Sequence, residues 1–88
     1  MVEATAQIIN KAGLHARAAA KLVALTSGFS SKIEIGHDKM VDGKSILSLM
    51  MLAAVKGTTV RITASGEDEE QALAAIIALI EDRFAEDQ

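Results

Sequence analysis

In the stretch Thr58-Thr59-Val60-Arg61-Ile62-Thr63-Ala64, Val60, Ile62 and Ala64 fall on one side of an extended chain, with Thr59, Arg61 and Thr63 on the other. A strand with one apolar and one polar face belongs in a sheet covered on one side only, which is the habit of antiparallel sheets. The same period of two recurs at Val2, Ala4, Ala6 and Ile8. It recurs again at Lys32-Ile33-Glu34-Ile35, and Gly36-His37-Asp38-Lys39 can turn that strand into a short partner, Met40-Val41.

Helical spacing fills the intervals. From Ala16 to about Thr26, Ala16, Ala19, Ala20 and Val23 recur as one face, with Arg17 and Lys21 on another, and Ser27-Gly28 supplies a stop. Ser45 occupies an N-cap position ahead of an apolar helix spanning 46–54. Glu67-Asp68-Glu69-Glu70 opens the last helix with acids where the helix dipole favours them, and Leu73, Ile76, Ile77, Ile80 and Phe84 form its apolar stripe. The order β-α-β-β-α-β-α predicts an α+β fold: a two-layer, open-faced sandwich in which a four-stranded antiparallel sheet carries three helices on one face, with residues 1–88 forming one domain.

Composition excludes several functions. With a formal charge of −3 and only Phe29 and Phe84 as aromatic residues, the chain lacks both the basic surface and the stacking groups that nucleic-acid binding uses. There are no cysteines, hence no disulfide and no thiolate metal site, and the second imidazole, His37, belongs to a predicted hairpin turn. No metal and no cofactor is expected. No apolar run reaches the ~18 residues of a membrane span, and the start lacks the pattern of a secretory signal, so the expected location is cytoplasmic.

The chemistry concentrates in Gly13-Leu14-His15-Ala16-Arg17-Ala18-Ala19-Ala20. His15 falls at or beside the N-cap of the first helix, where backbone N–H groups lack intrahelical partners and the dipole is positive. The amides of Ala16 and Arg17, together with the Arg17 guanidinium, suit an anion, and a phosphoryl group fits best. An imidazole is nucleophilic near neutral pH, and the same donors would stabilise the charge it acquired. Spacing alone favours a surface-loop histidine beside a solvated arginine, because short patterns of this kind arise by chance.

The second helix poses a similar choice. Ile46, Leu47, Leu49, Met50, Met51 and Leu52 are apolar nearly all round. The helix is either fully buried or, with Leu49 and Leu52 in the core, exposes Ile46, Leu47 and Met50 as a patch beside Ser45 for docking partners.

Several separated motifs carry a resemblance over essentially the whole chain: GLHAR near the start, DGKSI before the second helix, and KGTTVRITASGEDE leading into the third. In these the sequence resembles the histidine-containing phosphocarrier (HPr) family of the bacterial phosphoenolpyruvate-dependent sugar phosphotransferase system. The resemblance implies a relay in which His15 takes a phosphoryl group from enzyme I and passes it to histidines of IIA domains, with Arg17 assisting. It implies that Ile46, Leu47 and Met50 contact these partners, and that Ser45 is a regulatory phosphorylation site for an HPr kinase/phosphorylase in some bacteria. Such a chain is expected to be a monomer and a phosphotransferase-system component with no turnover of its own. The family usually has proline where this chain has Ala18, which relaxes the first helical turn. Two other functions fit the same residues: a regulatory, nitrogen-linked carrier of the same family, and a non-catalytic binding module using helix 46–54 alone.

Overall fold

The computed structural model describes residues 1–87. Its elements run β1 (Val2–Gln7), α1 (Ala16–Thr26), β2 (Lys32–Gly36), β3 (Met40–Asp42), α2 (Ile46–Met50), β4 (Thr59–Ser65) and α3 (Glu69–Glu81), followed by a single turn at Arg83–Ala85. The strands form one antiparallel sheet in the order β1-β4-β2-β3. Ile62 sits at its centre, opposite Ala4 on one side and Ile35 on the other. Val60, Ile62 and Ala64 are fully buried, as their alternation requires, and the three helices cover that face. The core is almost wholly aliphatic, built from Leu22, Ile33, Ile35, Leu49, Ile62, Ile76 and Ile80, with Phe84 its one fully buried ring.

Four local expectations are corrected. The buried face of α1 is Ala18, Ala19, Leu22 and Thr26, whereas Ala16 and Ala20 are exposed. Alanine is tolerated on either face, so a run of alanines fits several stripes, and the bulk of Leu22 sets which one turns inward. Helix α2 ends at Met50, not at residue 54. Beyond it the carbonyls of Leu52 and Ala54 accept from His37 Nε2 (2.9 Å) and the Leu14 amide (2.8 Å), and Ala53 adopts φ 52°. Tertiary partners thus take up carbonyls that a continued helix would have used. Phe84 is buried, but it lies beyond α3 in the turn at Arg83–Ala85 and reaches the core through a reversal of the chain.

The acidic run is also more than a solvated first turn. Glu69 and Glu70 do lie in the first turn of α3. Asp68 reaches instead across to the loop before β2, accepting from the amides of Ser30 (2.9 Å) and Ser31 (3.0 Å) and from the Ser31 hydroxyl. The Ser31 hydroxyl first, and then the backbone donors, lower its pKa from 3.8 to about 2. A carboxylate whose folded pKa is depressed adds stability that is present above its unfolded pKa and lost as pH falls through the folded one. Denaturant midpoints should therefore drop between about pH 4 and pH 2. In Asp68→Asn that part of the drop should vanish, leaving lower stability at pH 7 and a flatter acid limb.

Candidate functional site

Loop geometry delivers His15 to the head of α1. Gly13 has φ +73°, and a Cβ there would lie 2.6 Å from the Ala54 carbonyl oxygen and 2.9 Å from Val55 Cα. Only glycine permits that backbone and that approach. The neighbouring Leu14 is buried and donates its amide to Ala54. The loop is thereby pinned to the segment after α2, and the next residue, His15, is left half-buried at the helix mouth.

His15 is the N-cap of α1, with extended backbone (φ −90°, ψ −175°), and its carbonyl accepts the Ala19 amide at 2.8 Å. The capping acceptor, a role usually filled by a serine, threonine or aspartate oxygen, is here Nδ1 of the imidazole, which accepts from the Arg17 amide at 3.2 Å. The opposite nitrogen, Nε2, lies 2.7 Å from Oε2 of Glu86. An acceptor on one side and a donor on the other select one neutral form of the ring. Nε2 carries the proton and donates it to the carboxylate, and Nδ1 keeps its lone pair directed at the end of the helix.

Around the ring lies an open basin of about 700 Å³ lined by Lys11, Ala12, His15, Arg17, Glu86 and Asp87. Arg17 is exposed on its rim. Two carboxylates therefore share a site for which the sequence suggests only cations and backbone amides. Burial pushes the Glu86 carboxyl upward, but the hydrogen bonds from His15 and Asn10 and the charge of Lys21 outweigh it and hold its pKa below the usual glutamate value. Glu86 is 71 residues from His15 in the chain, so no local pattern announces the contact. The only hint is an acid near the end of a sequence whose other elements were already placed.

The exposed patch on α2 is real. Leu49 is fully buried and Leu52 nearly so, while Ile46, Leu47 and Met50 are 41%, 70% and 41% exposed. Met51 and Val55 extend the patch. Because Leu14 and Gly13 rest on Ala54 and Val55, the His15 loop and the segment following the patch are in direct contact. Ser45 caps α2, its hydroxyl accepting from the Ser48 amide at 3.2 Å. His37 lies in the β2–β3 turn, away from the basin lining. Among the described residues no three His, Cys, Asp or Glu side chains are grouped to hold a metal ion, and no helix is long and apolar enough to cross a membrane.

Comparison with known proteins converges on one family. Residues 2–82 match the family model described as the PTS HPr component phosphorylation site. The chain is 49% identical over 81 residues to the phosphocarrier protein HPr of Pseudomonas aeruginosa, covering 90% of each. It is 41% identical over 88 residues to the phosphocarrier protein NPr of Escherichia coli, covering 98% of each. The crystal structure of HPr-C-His from Thermoanaerobacter tengcongensis superposes with a TM-score of 0.95 at 46% identity, over 100% of both chains.

Proposed function

The chain belongs to the HPr family of phosphotransferase-system phosphocarriers, and from that premise we propose that His15 carries the phosphoryl group, receiving it from enzyme I and delivering it to histidines of IIA domains in sugar uptake. The observation that supports this most is the ring's geometry. With Nε2 donating to Glu86, the lone pair of Nδ1 is the nucleophile, and its present partner is the Arg17 amide. When Nδ1 bonds to phosphorus, that amide can no longer use the ring nitrogen as its acceptor. A phosphoryl oxygen takes over the capping role, so the helix end that held the free ring stabilises the charged one. The Ala16 amide and the exposed Arg17 guanidinium add to this positive field.

Ile46, Leu47 and Met50 receive the partner proteins of a monomeric, cytoplasmic carrier. Methionine in that patch suits one surface to several partners. Phosphorylation of Ser45 would place about −2 charge at the edge of this apolar contact and weaken docking.

Incubation with enzyme I and phosphoenolpyruvate should add one acid-labile phosphoryl group, located on His15 by mass spectrometry. A phosphoryl group on another residue, or none, refutes the assignment. The charged protein, offered in turn to sugar-specific and nitrogen-branch IIA domains, should pass its label to the former. Transfer only to the latter would make it a regulatory carrier instead.

A further inference from the structure

The contact between the chain's end and the imidazole is an expensive one to build. Arg83, Phe84 and Ala85 have φ of 55°, 54° and 60°, three successive non-glycine residues in the left-handed region. Each is disfavoured by the approach of its Cβ to the following carbonyl. The turn is held by the full burial of Phe84 and by Lys21 Nζ, which donates to the Phe84 carbonyl at 2.8 Å. What this reversal places is Glu86, with a side chain only 15% exposed. Oε2 faces His15 Nε2, and Oε1 accepts from Nδ2 of Asn10 at 3.1 Å. Asn10 is itself fully buried and donates through the same nitrogen to the Gly13 carbonyl at 2.7 Å, tying the tail to the loop that carries His15. Strain concentrated at one turn, with its product aimed at the reactive ring, points to a role in the chemistry.

We propose that Glu86 is a positioning residue for phosphoryl transfer: its carboxylate, held by Asn10, fixes the proton on His15 Nε2 and so presents Nδ1 as the nucleophile. This rests on the reading of His15 as the phosphoryl carrier. In the forward step the Nδ1 lone pair attacks the phosphorus of an N-phosphoryl donor. The N–P bond of the donor breaks, its electron pair returns to the donor ring, and the new Nδ1–P bond forms. Nε2 keeps its proton throughout, so the His15 ring becomes cationic and Glu86 is the anion facing that charge. Transfer onward is the same step reversed. Among the described residues, the other charged groups lining the basin are Lys11 from the preceding loop, Arg17 from α1 and Asp87 from the tail, and Lys21 of α1 acts on Glu86 from beside the turn. The three cations oppose the ring's charge, which leaves Glu86 as the group in direct contact that favours it.

Glu86→Gln keeps the size of the side chain and removes its charge, and Glu86→Ala removes the contact altogether. With enzyme I and phosphoenolpyruvate, both variants should take up the phosphoryl group about tenfold more slowly than wild type, the scale of one lost charge-assisted hydrogen bond. The pH profile of phosphoryl loss separates positioning from mere support of the fold. A ring protonated at Nε2 is the better leaving group, so in Glu86→Gln the acid-promoted loss should move to lower pH and the phosphorylated protein should outlive wild type at pH 7. Slower uptake with an unmoved profile would make the tail purely structural and overturn the proposal. Unchanged or faster uptake would overturn it as well, the faster case marking the tail as an obstruction. Failure of the wild-type chain to accept phosphate would bring down the carrier reading and this role together, whereas failure confined to the comparison of variants removes Glu86 alone.

Discussion

His15→Ala is expected to abolish phosphoryl uptake from enzyme I while leaving the folded protein and the exposed apolar patch of α2 intact. The substitution removes two things at once, since the imidazole is the proposed nucleophile as well as the capping acceptor of α1. Loss of an N-cap costs about 1 kcal/mol, a modest part of the roughly 5–15 kcal/mol that holds a small domain folded. His15→Asp separates the two roles, because an aspartate oxygen is a strong capping acceptor. It should recover the cap, as seen in thermal melts, and still take no acid-labile phosphate. Both variants should bind enzyme I in calorimetry, because the surface proposed to dock it, Ile46, Leu47 and Met50, is untouched. Phosphate uptake by His15→Ala would show that the relay runs through another residue, and loss of binding would show that the ring itself is the main docking contact.

The layers of this molecule were legible because their signals are local. Val60, Ile62 and Ala64 point inward by the period of an extended chain, and all three are fully buried. The span of α1, Ala16–Thr26, follows from where the strand pattern stops and where Ser27 and Gly28 stand. His15 at the helix mouth is likewise within reach of pattern and spacing, whereas pattern leaves open whether Ile46, Leu47 and Met50 are buried or exposed, and only the family resemblance favours exposure. In α1 a run of alanines fits several stripes, but at the end of α2 and at Asp68 a partner distant in sequence decides the outcome. The apolar helix after Ser45 shows no local reason to stop at Met50, because the groups that claim its next carbonyls are His37 and Leu14. Asp68 reads as an ordinary first-turn acid, and only the fold brings Ser30 and Ser31 to it. The site was half legible for the same reason: its N-terminal half lies within three residues, and its carboxylate arrives from the far end of the chain.

That far end also governs stability, and Phe84→Ala should expose the link. Phe84 is the largest fully buried side chain, seated in an otherwise aliphatic core. Its truncation should cost about 3–5 kcal/mol, a transfer loss plus a cavity that the surrounding branched residues cannot easily close. Against a total of roughly 5–15 kcal/mol that loss should leave the variant markedly less heat-resistant. The ring is also the main anchor of the left-handed turn. Without it, Arg83, Phe84 and Ala85 have little reason to remain at positive φ, and relaxation of the backbone withdraws Glu86 from His15. Phe84→Ala should therefore reproduce the slow uptake and displaced pH profile of Glu86→Gln in addition to its own stability loss. Phe84→Leu, which keeps an apolar anchor, should lose less stability and retain more of the transfer rate. If Phe84→Ala were destabilised to the expected degree yet transferred phosphate as fast as wild type while folded, the buried ring would serve the core alone and the tail's anchoring would have to come from Lys21 and Asn10.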